Sequence, residues 1–335
     1  MAASQLDMFG RTNDPVVKKK SSRQARQASE LGPVEGQALE TSDLDAEDMA
    51  RRLEASGRYR ILRKLSHPDV VSSPRPGFPR RGVIIDTETT GLNYRTDKLI
   101  EIGAVAFTFD EDANLGDITG VYSGLQDPGI PIPALITKLT GINDAMVAGQ
   151  SLDLLALAKV VEPADLVIAH NAAFDRPFCE KLSAMFSSKA WACSVKEIDW
   201  QGRGFEGNKL GYLIGQSGHF HDGHRAVDDC YALFEVLRNF DSVQGKTAFA
   251  ELYAASQRAQ VRLWAEHSPF DMKDKLKARG YRWSDGSEGR PKSWWTEVTD
   301  DALEDEINYL RTEIYHRADV EPLTVHLTAT ERFKS

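Results

Sequence analysis

Three short apolar runs limit what this chain can fold into. GVIID at 82–86 and DLVIA at 165–169 are continuous and read as buried strands, whereas LIEIGAVAFTF at 99–109 is longer and alternating. Helical periods follow at 173–186, 209–216 and 225–240, the last with Val227, Cys230, Tyr231, Phe234 and Leu237 on one face. Strands interspersed with helices predict an α/β sheet covered by helices.

Around that core the composition changes. Residues 1–41 hold few aromatic or branched apolar residues beyond the first ten, too few to offset ordering entropy, which predicts a disordered tail. Its basic run, Lys18, Lys19, Lys20, Arg23 and Arg26, reads as solvated. A helix is expected at 43–55, with an acidic first turn, Leu44, Met49 and Leu53 at helical spacing, and Gly57 as its stop. A short strand at 59–65 and the Pro-rich SSPRPGFP complete a helix-and-linker segment, 42–81. The main domain is 82–240, a connecting helix occupies 241–259, and 260–335 reads as a small βαββα module. Its pieces are strand VRLWAEH, helix DMKDKLKARG, strands YRW and SWWTEV, and a helix at 300–316.

Length and composition exclude other classes. The chain of 335 residues is 41% hydrophobic, enough for a globular core, and no apolar run approaches the ~20 residues of a membrane-spanning helix. The opening, MAASQLDMFG, lacks the pattern of an export signal, and Cys179, Cys193 and Cys230 are too few and too scattered for a disulfide framework or a zinc site. A cytoplasmic setting is expected. The formal charge of -9 argues against a broad basic coat for nucleic acid, although a carboxylate site filled by cations would carry acidity that its metals neutralise.

Acidic residues mark the ends of the predicted elements. In IIDTETTGL, Asp86 and Glu88 are two apart and share a face of an extended strand; in VIAHNAAFDRPF, Asp175 stands near a helix start; in DGHRAVDDCYALFEVL, Asp228 and Asp229 follow His224. Without a cation such carboxylates repel by about 4 kcal/mol per close pair at an effective dielectric of 20. Two divalent ions would explain their grouping and suit phosphodiester hydrolysis, with a histidine to take a proton from water. His219 and His221 read as exposed loop residues, and Asp228 as a surface residue.

The three segments resemble the three motifs of the DEDDh 3′→5′ exonucleases, the group that includes the proofreading subunit of bacterial DNA polymerase III. Asp86 to Gly91 matches Asp-x-Glu-Thr-Thr-Gly, His170 to Asp175 matches His-Asn-x-x-Phe-Asp, and His224 stands five residues before Asp229. The resemblance covers about 82–240 and implies an RNase-H-like fold, a mixed five-stranded sheet flanked by helices. It implies Asp86, Glu88, Asp175 and Asp229 as ligands for two Mg²⁺ or Mn²⁺ ions and His224 as general base. It further implies substrate contacts by Thr89, Gly91, Asn171, Phe174 and the LTGI loop at Leu139, Thr140 and Gly141. The expected activity is release of nucleotides from DNA 3′ ends. An RNA-trimming exonuclease and a non-catalytic nucleic-acid-binding protein are the rivals.

Two outlying segments have resemblances of their own. PFDMKDKLKARGYRWSDGSEGRPKSWWTEV is similar to a small module attached to various nucleic-acid enzymes. In it Lys273, Lys275, Lys277, Arg279, Arg282, Arg290 and Lys292 are interleaved with Tyr281, Trp283, Trp294 and Trp295, as single-strand binding needs, or as the core and surface of a tiny domain would supply. Gln5, Leu6, Met8 and Phe9, in QLDMF, resemble the peptide by which bacterial DNA-processing proteins dock on the sliding clamp.

Overall fold

The computed structural model describes residues 43–241 and 245–334; the tail at 1–41, with its basic run and QLDMF peptide, lies outside the described residues. The chain divides into two units, 1–62 and 63–335. In the first, α1 (Asp43–Ala55) is the expected helix, with Met49 and Leu53 exposed.

The second unit is built on five strands, β1 (Arg80–Thr89), β2 (Leu99–Phe109), β3 (Leu115–Leu125), β4 (Leu166–Ala169) and β5 (Ala190–Cys193), in the order β3-β2-β1-β4-β5. β1 pairs antiparallel with β2 and parallel with β4, and β4 pairs parallel with β5. This is the mixed five-stranded sheet expected. β3 and β5 were not foreseen, because β3 is half polar and carries three glycines, and β5 has only four residues.

Alternation along β1 divides the core into two layers. Ile84 faces α5 (Leu210–Gln216), α6 (Ala226–Leu237) and α7 (Ala248–Ser256), joining Phe107, Leu213, Phe234 and Phe249. Val83 and Ile85 face α3 (Leu154–Val161) and α4 (Ala172–Leu182), joining Leu157, Cys179 and Trp191. The predicted stripe of α6 is as expected: Cys230, Tyr231, Phe234 and Leu237 are buried and Val227 packs at its edge. Before α3, helix α2 (Ala134–Thr140) ends at Gly141, whose φ of 72° suits a residue without Cβ.

Ahead of β1, Arg63–Lys64 pairs parallel with His219–Phe220, so the linker straps the loop that leads into α6. After α7 comes a second sheet, of β6 (Gln260–Ala265), β7 (Arg282–Trp283), β8 (Trp294–Thr299) and β9 (Leu323–Leu327), in the antiparallel order β7-β8-β6-β9. It has its own apolar cluster, including Val261, Leu263, Leu276, Tyr281 and Leu310. The strand β9, beyond the last helix foreseen, adds to that sheet. The chain then returns to the first: Trp191 N–H donates to the Ala329 carbonyl, and Phe333 enters the cluster of Val83 and Trp191.

Candidate active site

Close backbone approach builds the site. Asp86 and Glu88 share the parity of Ile84, so both point toward the α6 layer. Opposite Asp86 in β2 is Gly103, where a Cβ would meet the backbone of Ala226 and Val227 at 2.5 Å. Glycine therefore lets the start of α6 lie directly on the sheet, and Asp229, in the first turn, reaches the two strand carboxylates. Oxygens of Asp86, Glu88 and Asp229 lie within 4.8 Å of one another.

Like charges at that spacing are costly. Burial, then Asp229, Asp175 and Glu88, pushes Asp86 well above the usual carboxylate range. Burial, then Asp229, Glu101 and Asp175, pushes Glu88 up to about 8, with Arg225 opposing. Three half-buried hard-oxygen donors grouped this closely, with burial and mutual repulsion raising Asp86 and Glu88, fit a divalent cation.

Asp175 is held from the other layer. On α4, it is 3% exposed and accepts from both the hydroxyl and the N–H of Thr87, at 2.8 and 3.1 Å. Thr87 has the parity of Val83 and Ile85, so β1 presents acids on one face and a carboxylate-holding hydroxyl on the other. Burial raises Asp175 to about 7 against those hydrogen bonds. The structure thus groups three of the four predicted ligands and seats Asp175 beside them on Thr87.

The chain's residues 83–237 match the family model described as Exonuclease. DNA polymerase III PolC-type of Clostridium perfringens is 35% identical over 178 residues, 51% of this chain and 12% of that protein. DNA polymerase III subunit epsilon of Treponema pallidum is 34% identical over 167 residues, 45% of this chain and 74% of that protein. The chain belongs to the exonuclease family. A solved structure of exonuclease X in complex with 5′ overhanging duplex DNA is 26% identical, covering 52% of this chain and 99% of that one, with a TM-score of 0.39. The chain spans about an eighth of the length of the PolC-type relatives such as that of Clostridium perfringens.

Within the exonuclease domain, other predicted contacts have plain local roles. Thr89 is buried and donates to the Gly91 carbonyl at 2.6 Å, shaping the loop after β1. Asn171 is the N-cap position of α4, and Phe174 packs on Phe178 with ring centroids 5.2 Å apart. Leu139 is half-buried at the end of α2; Thr140 donates to the Ile136 carbonyl and accepts from Ile142 N–H, and Gly141 is exposed. His170 donates from Nε2 to the Asn208 carbonyl at 2.7 Å and accepts at Nδ1 from Ser194 at 2.8 Å; burial lowers it to about 4, so it stays neutral.

Around the start of α6 lies what sequence reasoning missed. His224 is exposed on a left-handed backbone, φ 64°, outside the carboxylate group. His221, expected to be an exposed loop residue, is instead enclosed, with its side chain 6% exposed and Nε2 donating to Asp229 at 2.9 Å. Asp228 is not a free surface carboxylate: it pairs with His67, whose ring stacks on Tyr231 at 3.9 Å. Glu101, fully buried, faces Glu88 across β2 and accepts from the Arg225 guanidinium and from Ala226 N–H, clamping the start of α6. Its signal was present in IEIGAV, an acid inside a buried strand, which is rare unless paired.

Proposed function

We propose that the protein is a divalent-metal-dependent 3′→5′ exonuclease that releases nucleoside monophosphates from DNA ends. The observation that carries this reading is the close carboxylate trio Asp86, Glu88 and Asp229, in a domain of the exonuclease family. Asp86, Glu88, Asp229 and Asp175 are the ligand set for two Mg²⁺ or Mn²⁺ ions. When bound, the ions would lower the pKa of a water and neutralise charge on the attacking and leaving oxygens.

The chain's own groups do the rest. Thr87 fixes Asp175, and Glu101 with Arg225 fixes the first turn of α6, so the carboxylates are held in place before substrate arrives. His224 is the general base: its imidazole takes the proton of the attacking water as the new P–O bond forms and the 3′-oxygen departs. Thr89, Gly91, Leu139, Thr140, Gly141, Asn171 and Phe174 shape the seat of the terminal nucleotide.

DNA is favoured as substrate because the relatives named above are DNA polymerases or their subunits. We assign 82–240 as the catalytic domain and 260–335 as an accessory module, with Gln5, Leu6, Met8 and Phe9 as a docking peptide for the sliding clamp. Among the described residues no helix is long and apolar enough to cross a membrane. The test is incubation with DNA and RNA oligomers blocked at either end, with Mg²⁺ or Mn²⁺. Shortening from a free 3′ end of DNA is expected; shortening of RNA alone, or from the 5′ end, overturns the reading.

A further inference from the structure

A cleft of about 320 Å³ lies on the seam between the nuclease sheet and the second sheet, lined on one side by Lys196 and Glu197 and on the other by Arg282, Trp295 and Glu297. Its charges do not cancel. Glu197 is taken by Arg332, whose other guanidinium nitrogen donates to the Ser256 carbonyl, and Glu297 is taken by Arg262 at 2.6 Å. Neither Lys196 nor Arg282 has an ion-pair partner of that kind among the described residues. The Arg282 guanidinium lies 5.5 Å from the Trp295 ring centre, and the Lys196 ammonium 5.4 Å from that of Phe333, so both cations are held by aromatic rings.

The cleft also has the right position. β1, β4 and β5 run parallel, so their carboxyl ends coincide, and Asp86 and Glu88 close β1 while Lys196 follows β5. Two strand spacings, about 10 Å, separate those strands. His170, at the end of β4, is bonded to Ser194, two residues before Lys196, and bridges the interval. Lys196 is exposed, so an anion can reach it, and partial desolvation by its surroundings, then the nearby Arg282, holds its ammonium below the usual lysine value, a repulsion that an anion between the two would relieve.

We propose that this cleft is a phosphodiester subsite, in which Lys196 and Arg282 grip the backbone of single-stranded DNA upstream of the 3′ end held at the carboxylates. The assignment deepens the exonuclease reading and rests on it for the placement of the 3′ end. It also sorts the basic residues of the second sheet: Arg279 is spent on Glu306, Lys275 on Glu313 and Arg290 on the Lys334 carbonyl, and Arg282 is the one that reaches the cleft. Tyr281 is core, 3% exposed and bonded to Glu306.

The experiment compares full-length wild type with Lys196→Ala, Arg282→Ala, the double variant and Lys196→Arg. Binding of a labelled single strand of about 16 nucleotides, the upper end of usual single-strand sites, is followed by anisotropy in chelator across a salt series. Each alanine should reduce the slope of log K against log salt by about 0.7, the double variant by twice that, and Lys196→Arg should restore the wild-type slope. With Mg²⁺, KM for the long strand should rise with kcat unchanged, while hydrolysis of the p-nitrophenyl ester of thymidine 5′-monophosphate should not move. An unchanged slope in the double variant overturns the subsite, as does an equal loss of affinity for inorganic phosphate alone, which would mark a free-anion site. If wild type cleaves nothing yet the slopes shift as stated, the subsite stands and the exonuclease reading falls.

Discussion

Two sets of buried charge flank the same sheet, one beyond its β5 edge and one over β1, and they are treated differently. In the first, Arg176 is fully buried, pairs with Glu180 at 2.8 Å and donates to the Arg332 and Thr330 carbonyls, while Arg332 pairs with Glu197. Only Arg332 Nε is left without a partner. In the second, Asp86, Glu88 and Asp229 face one another, with His221 bonded to Asp229 and Arg225 near Glu88 but, among the described residues, no arginine or lysine seated between them. Burying a charge costs several kcal/mol unless geometry repays it, so the first set makes sense as a staple that holds the last residues of the chain. The second lowers stability as it stands, and its persistence points to a ligand that is not protein.

Substitutions should separate the two sets. Asp86→Asn should abolish hydrolysis of DNA oligomers yet raise the melting temperature in chelator, because it removes one of the repelling charges; an active Asp86→Asn would end the assignment. His224→Ala should lower kcat by about 10²–10⁴-fold, the usual worth of a general base, with metal affinity in calorimetry retained. Arg332→Ala should cost about 3–5 kcal/mol in denaturant melts, since Glu197 is left buried and unpaired, while the folded fraction keeps its kcat. For the same reason, deletion from about 260 onward, which removes Phe333 and Arg332, should leave a nuclease domain of lower stability.

The pH dependence of the metal-free protein sharpens the contrast. Glu88 rises from the ordinary 4.5 to about 8 on folding, so the folded state binds the extra proton and stability is lost as pH increases through that window. Asp175, raised to about 7, acts in the same direction. Melts in chelator should therefore fall between those values, and saturating Mg²⁺ should flatten the curve; a metal-free curve that rises with pH would contradict the electrostatics. The smallest effect is expected for Asp228→Ala. Its pair with half-exposed His67 is worth little, and kcat should stay within about twofold, in keeping with the ±0.5 kcal/mol of ordinary surface changes.

The comparison also shows why some of the site was legible beforehand. Asp86 and Glu88 could be placed together because a strand has a period of two, and α6 was readable from its apolar stripe. The role of Thr87 was not, because the same alternation sends it to the opposite layer, and only the return of β4 into α4 brings Asp175 there. His221 was misread because nothing local distinguishes an exposed loop histidine from one folded back onto a carboxylate eight residues later.

The sequence by itself determined the strands that form the middle of the sheet, the helix stripes that cover them and the residue types of a hard-cation site, since those depend on local periodicity and side-chain chemistry. Tertiary structure decided the rest. It chose which acids meet, through the Gly103 contact that lets α6 touch β2, and it made the final residues part of the nuclease core. It also left Lys196 and Arg282, 86 residues apart in the chain, facing one cleft. Contacts of that separation depend on close packing between elements, and no window of sequence short enough to show a period contains both partners.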